Sequence, residues 1–421
     1  MEKLLHYVWK YRLFPAKMMT IEGTEIEVLD TGVENLDAGP DFVNAKIKMN
    51  SIVWAGNVEL HSSASDWVRH KHHTDTAYNS VILHVVERMD SDCAVKTTGE
   101  TIPHLLLSIP EKVQENYRYL ISFDNEAACL PMLALLPPLL LTSWKDSLLV
   151  ERLERKSAAI NNLCIAFQDD WDAVFYTTLC RNFGFGLNSD AFEWLAKSLS
   201  YKIVLKHCDS VTDLEALLFG QAGFLEEGLR EEYSRHLWER YLFFQHKYDL
   251  TPLSSSLFKN ARTRPQSLPY IRMAQLARIL SRSRGLFSKV LEAEQLSSLI
   301  PLFDTSVSFF WKNHFTFRTF CDFSQHRIGA SSLHILMINT VIPMRFAYYK
   351  RKKDNEKEEK TIAMLESLPP ETNHITRMFA KGGIGCASAF DSQALIQLKN
   401  EYCDRKRCLQ CRFGQKLLQQ R

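Results

Sequence analysis

Polar and apolar residues alternate with period two through residues 24–30 (TEIEVLD) and again through 41–48, where Ala45 and Ile47 are set against Lys46 and Lys48. Both stretches predict half-buried strands. Met49-Asn50-Ser51 reads as a three-residue hairpin loop, with residues 52–61 as the partner strand. Ser62 to Ser65 supply N-cap hydroxyls for a short helix from Asp66 to about His70. The run NSVILHVV at 79–86 is nearly continuous in β-branched residues, the mark of a strand covered on both faces. Residues 101–108 predict one more strand, closed by Pro110. Ahead of all these, Leu4, Leu5, Val8 and Trp9 lie among Glu2, Lys3, Lys10 and Arg12, which predicts an amphipathic opening helix.

From about Leu140 the period becomes helical. Leu148, Leu149, Leu153 and Ile160 open a long amphipathic stretch, and FGFGLN at 183–188 breaks it before a helix capped near Ser189. Helical patterns follow at 209–219, 229–248, 270–280, 292–300 and 331–365. The run 350–360 carries ten charges of both signs in eleven residues and reads as a solvated helix end or loop. The fold expected is α+β: an α/β sandwich over 1–125, a helical body over 126–380 and a cysteine-bearing segment over 381–421.

Composition narrows the function classes. With 421 residues, 46% of them hydrophobic, the chain can bury a large core. A net charge of +2 confines any nucleic-acid footprint to a local patch. The longest apolar run, 130–141, is broken by Pro131, Pro137 and Pro138 and is too short to span a bilayer. Scattered cysteines point to a reducing, cytoplasmic setting. There is no Walker A motif, no dinucleotide-binding glycine fingerprint and no nucleophile elbow, and no small-molecule cofactor is expected.

The most informative segments are Ala38-Gly39-Pro40-Asp41 and Asn57-Val58-Glu59-Leu60-His61. The three-residue loop pairs Asp41 with Glu59, Ile47 with Val53 and Ala45 with Ala55, whereas a two-residue turn would send the acids to opposite faces. Glu59 and His61, two apart, share a face. Carboxylates at the end of an apolar face need a partner, and a hard divalent cation is a natural one.

Pro40-Asp41 followed by Glu59-Leu60-His61 resembles the PD-(D/E)XK nuclease superfamily, with His in place of the usual Lys. The resemblance implies that Asp41 and Glu59 hold Mg²⁺ or Mn²⁺ at a phosphodiester-hydrolysing site. His61 would then orient or deprotonate the water, with Asn57 and His84 in support. Without the Lys, the site could instead belong to a catalytically inactive nucleic-acid-binding or scaffolding protein. The whole chain also resembles a bacterial domain-of-unknown-function family of about this length. That likeness rests on GPDF at 39–42, VELH at 58–61, SDW at 65–67, LHVV at 83–86, GQAG at 220–223, Arg264-Pro265 and the terminal cysteines.

Three further features bear on chemistry. His61, His70, His72, His73 and His84 are dense enough for a zinc site, although His70 to His73 also suit the exposed end of a short helix. His84 either is a satisfied core histidine or joins the site. Residues 250–291 contain no acid but eight cations, among them Arg262, Arg264, Arg272, Arg278 and Arg282, the expected phosphate contacts for nucleic acid. The alternative is a basic face paired with the acidic segment 226–232. Finally, Cys403, Cys408 and Cys411 have C-x₄-C-x₂-C spacing among basic residues, with Cys386 or His374 available as a fourth ligand for zinc or a 4Fe–4S cluster; free thiols or a redox pair would give the same spacing.

Overall fold

The alternating segments build the centre of a seven-stranded mixed sheet. The computed structural model describes residues 2–92, 94–122, 127–261, 264, 267–282 and 284–419. Strands β1 (Lys17–Met19), β2 (Glu25–Asp30), β4 (Phe42–Met49), β5 (Ile52–Ser63), β6 (Val81–Arg88) and β7 (His104–Leu106) lie in that order, with β3 (Val33–Glu34) beside β4. Pairing is antiparallel as far as β5 and parallel from β5 through β7. The opening helix α1 (Glu2–Lys10) buries Leu4, Leu5, Val8 and Trp9, and the Trp9 indole donates to the Thr31 carbonyl. The short helix α2 (Asp66–Arg69) follows β5.

The β4–β5 hairpin departs from the expected register in two places, and the departures cancel. Its loop is the two-residue turn Asn50-Ser51, with Met49 paired to Ile52, so Ile47 faces Trp54 and Ala45 faces Gly56. Between Phe42 and Ala45 the register then shifts and Phe42 pairs with Val58. The extra residue is a bulge on β4, where Asn44 has φ of +58°. Asparagine tolerates this left-handed conformation, and the Asn57 side-chain oxygen accepts its N–H at 3.1 Å. Gly32 presses against the same bulge: a Cβ there would sit 2.6 Å from the Val43 carbonyl oxygen. The bulge returns Asp41 to the position opposite Glu59.

The strand expected over 101–108 shortens to three residues, because Thr101 bridges back to Val95 and Pro103 has no N–H to give a ladder. Helices α3 (Glu111–Ile121) and α4 (Leu130–Leu133) follow.

The chain packs as two units, one of residues 1–141 with 399–421 and one of residues 142–398. This partition differs from the one read off the sequence chiefly in placing the terminal segment with the first unit. There the terminal helix Arg412–Leu418 meets α1 and α3: Tyr7 donates to the Gln415 carbonyl, and the Gln415 side chain donates to the Tyr11 hydroxyl.

The second unit is helical apart from one short hairpin among the described residues. Helices Val211–Gln221, Glu232–Tyr248 and Pro269–Arg282 pack around Phe219, which stacks on Trp311 at 4.8 Å. The helix expected over 292–300 is two, Leu286–Glu292 and Leu296–Phe303, parted by extended backbone at Ala293 and Gln295. The pattern over 331–365 is likewise interrupted: Lys353 takes a left-handed conformation and the Asp354 side chain caps a new helix, Asn355–Glu366. No described helix is long and apolar enough to cross a membrane.

Candidate metal centre

Three strands and the residue just ahead of a fourth carry a row of ionisable groups across the sheet. Asp41 precedes β4, Glu59 pairs with His84 on β6, and His84 pairs with His104 on β7. The two acids hold one another through backbone. The Asp41 N–H donates to Glu59 Oε2 at 3.0 Å, and Asp41 Oδ2 accepts the Leu60 N–H at 2.9 Å. His6, from α1, brings Nε2 to 3.4 Å from Asp41 Oδ2. Burial, followed by the neighbouring Glu59 charge, raises the Asp41 pKa.

The other Glu59 oxygen faces imidazoles. Oε1 lies 3.5 Å from His61 Nε2 and 3.2 Å from His72 Nε2, while His70 Nδ1 is 3.2 Å from His61 Nε2. The three imidazoles offer nitrogens that all lie within 4.8 Å of one another. Local structure arranges this. β5 runs on to His61, α2 reverses the chain, and Lys71 in a left-handed conformation separates His70 from His72. The His72 ring is fixed by stacking on Tyr78 at 3.8 Å. Glu59, His61 and His72 are buried, and His70 is exposed.

Behind the cluster, His61 Nδ1 lies 2.9 Å from His84 Nε2. Burial, then the neighbouring imidazoles, lowers the pKa of His61 to about 3 and that of His84 to about 2. Both rings are therefore neutral, the form in which imidazole ligates metals. At the far end of the row, His104 Nδ1 meets Glu22 Oε1 at 3.1 Å.

The donor set can be tested against ion chemistry. A tetrahedral ion about 2.0–2.1 Å from each N or O ligand spaces those ligands about 3.3–3.4 Å apart. The Glu59–His61, Glu59–His72 and His61–His70 separations of 3.2 to 3.5 Å match that spacing, and the three imidazoles together lie within 4.8 Å. His72 Nε2 is buried with no hydrogen-bond partner. Three imidazoles and one carboxylate suit zinc or iron, whereas magnesium and manganese prefer oxygen. An oxygen-liganded Mg²⁺ or Mn²⁺ would have only the Asp41–Glu59 end of the row.

Several candidate residues take other positions. Asn57 holds the bulge, with its amide donating to Ser80 Oγ at 2.8 Å. Arg262 lies outside the described residues, as does Pro265 of the Arg264-Pro265 pair. Arg264 is exposed. Arg272 is buried: its guanidinium bonds Gln275, Ser267 and Ser332 and stands 4.1 Å over the Phe185 ring. Arg278 is half-buried on a cavity of about 530 Å³ that Lys312 and His314 also line. Arg282 donates to the Asp304 carbonyl. From the acidic segment, Glu226 pairs with Arg318, which lies outside the basic stretch. Cys403, Cys408 and Cys411 belong to the first unit and Cys386 to the second.

His70 and His72 were visible in sequence as an H-x-H pair following E-x-H, but the helix-end reading gave them no role. His6, Glu22 and His104 carried no sequence signal, since each arrives from an element remote in the chain.

Residues 2–374 match the family described as "Protein of unknown function (DUF2851)", and the chain belongs to that family. No curated protein and no solved structure matches it.

Proposed function

We propose that the protein is a metal-dependent hydrolase of phosphodiester bonds in nucleic acid, centred on Glu59, His61, His70 and His72 with Asp41 alongside. The observation that carries this reading is the convergence of nitrogens from His61, His70 and His72 within 4.8 Å of one another, with Glu59 Oε1 3.5 Å from His61 and 3.2 Å from His72. The motif Pro40-Asp41 and Glu59-Leu60-His61, on a hairpin flanked by α1 and α2 and continued by a parallel strand, supports a nuclease-like core.

A bound zinc or iron ion would polarise a phosphoryl oxygen and acidify water. The chain's own residues divide the remaining work. Glu59, His61, His70 and His72 would hold the ion, and His84 fixes the His61 ring through its far nitrogen. Asp41, anchored by the Leu60 N–H, is placed to orient water or substrate beside the ion. His61 takes a ligand's role here in place of a free base, because both its nitrogens are engaged. Arg264, an exposed cation of the basic stretch, would be open to phosphate.

A second reading, a nucleic-acid-binding protein with a structural ion, draws on the four protein ligands, since closed shells are typical of structural sites. The two readings separate on cleavage of single- and double-stranded DNA and RNA by the zinc-, iron-, manganese- or magnesium-loaded chain. Metal-dependent cleavage abolished by Glu59→Gln and by Asp41→Asn is the expected result. Cleavage that survives both substitutions refutes the hydrolase reading, and tight metal binding without cleavage establishes the structural one.

A further inference from the structure

The cavity of about 530 Å³ in the second unit is lined by Arg278, Lys312 and His314 and, among the described residues, by no acid. Arg278 comes from the acid-free stretch, on the helix Pro269–Arg282. Lys312 closes the turn Phe310–Lys312, and His314 opens the short strand that follows it. The helix Val211–Gln221 begins on the same wall, with Thr212 among the lining residues, and a helix N-terminus favours negative charge.

Two nitrogens of these lining residues, Arg278 Nε and His314 Nε2, are buried without a hydrogen-bond partner. Such groups cost free energy that a bound ligand would recover. His314 is firmly held. It is 7% exposed, its ring stacks on Phe310 at 3.9 Å, and its Nδ1 lies 2.8 Å from the Phe310 carbonyl oxygen. A carbonyl only accepts, so Nδ1 carries a proton and donates it. In the neutral ring Nε2 therefore keeps a lone pair, which either accepts a hydrogen bond or takes up a second proton.

Glu215 stands behind Tyr233, another lining residue, with Oε2 accepting from the Tyr233 hydroxyl and from the Trp311 indole. Burial favours its protonated form, which offsets less of the Arg278 charge than a carboxylate would.

These features select a ligand. Arg278 and Lys312 call for anionic oxygens. His314 Nε2 calls for a proton, carried by the ligand or taken up with it. A phosphomonoester answers both, because its second pKa of about 6 sets acceptor oxygens beside a titratable P–OH. Sulfate brings the oxygens without the proton. The volume is in the range of small-molecule sites and leaves room for a group attached to the phosphate. Phe309, which also lines the cavity and is 82% exposed, offers that group a ring.

We propose that this cavity binds a small phosphomonoester, its phosphate held by Arg278, Lys312 and His314 and its attached group set against Phe309. The inference is independent of the hydrolase reading, since every residue in it belongs to the second unit. It is tested by calorimetric titration of the full chain at neutral pH with adenosine 5′-monophosphate, ribose 5-phosphate, adenosine and sulfate. Both phosphate esters are expected to bind, and adenosine and sulfate to bind at least about tenfold more weakly. Tighter binding of the nucleotide marks nucleotides as the source of the phosphate, and tighter binding of the ribose ester marks sugar phosphates. Arg278→Gln should weaken binding about 10–100-fold and Lys312→Gln about tenfold. His314→Asn, which keeps a donor for the Phe310 carbonyl and removes Nε2, should lose the preference for phosphate over sulfate. Because Arg278→Gln could fail to fold, Lys312→Gln, at a half-buried position, and the wild-type ligand comparison stand as separate measurements. Glu59→Gln should bind as wild type does. Absence of binding by both esters, sulfate or adenosine bound as tightly as the esters, or loss of binding in Glu59→Gln overturns the assignment.

Discussion

Asn57 Oδ1 accepts the backbone N–H of Asn44 at 3.1 Å, and Asn44 is the left-handed residue that adds one position to β4. This single contact lies between the hairpin turn and the candidate site, because the added position is what sets Asp41 opposite Glu59. Asn44→Val places a β-branched residue in a conformation that costs L-residues about 1–2 kcal/mol. Thermal unfolding should fall accordingly, and metal affinity should fall with it, although no ligand is altered. Asn44→Gly should preserve both. Equal metal affinity in Asn44→Val and wild type would show that the register does not govern the site.

Metal binding should separate the roles of the clustered residues. In competition with a chromophoric chelator, Glu59→Ala and His72→Ala are expected to abolish high-affinity zinc binding. His84→Ala, which removes only the support behind His61, should weaken binding by about 10–100-fold. Asp41→Asn should leave affinity near wild type while removing cleavage. A loss of affinity in Asp41→Asn as large as in Glu59→Ala would make Asp41 a ligand.

The arginines of the basic stretch should divide by burial. Arg272→Ala removes the partner of Gln275 and Ser332 and empties space over the Phe185 ring, so a loss of about 2–3 kcal/mol is expected in denaturant unfolding. Arg264→Ala, at an exposed position, should leave stability unchanged. If Arg264 contacts a phosphate, its removal should reduce the slope of log affinity against log salt by about one. An unchanged slope would remove Arg264 from the nucleic-acid interface.

Glu215 provides a pH test in the second unit. It is fully buried, with Oε2 accepting from the Tyr233 hydroxyl at 2.6 Å and the Trp311 indole at 2.9 Å. Burial raises its pKa above the ordinary 4.5. The folded state therefore keeps the proton at pH values where the unfolded chain has released it. Stability should fall as pH rises from the unfolded value through the folded one. Glu215→Gln removes that loss, so the variant should gain stability relative to wild type as pH rises above the ordinary carboxylate value. A difference that stays constant with pH would show that burial does not raise the Glu215 pKa.

Much of the first unit was legible because strand alternation and buried β-branched runs are local properties. The helix–hairpin–helix–strand order and the pairing of Asp41 with Glu59 followed from them. The route to that pairing did not, since Asn50-Ser51 as a two-residue turn and Asn44 as a bulge are each one-residue details that leave periodicity almost untouched. The imidazole cluster was half legible. His61 and Glu59 shared a face by arithmetic, while His70 and His72 depended on a left-handed Lys71 that no pattern announces. In the second unit, helix breaks at Ala293 and Lys353 lacked glycine or proline signals. The burial of Arg272 was hidden because its charge argued for solvent, whereas Phe185, which stacks on it, is distant in sequence.

The bonds from Tyr7 and Tyr11 to Gln415 join residues more than four hundred positions apart. During synthesis, these contacts can close only once Gln415 has been translated, more than four hundred positions after Tyr7 and Tyr11. Until then, α1 and α3 emerge from the ribosome with uncovered apolar surface, a state that chaperones recognise. A truncation that removes residues 402–421 would therefore damage the sheet-bearing unit, made some three hundred residues earlier.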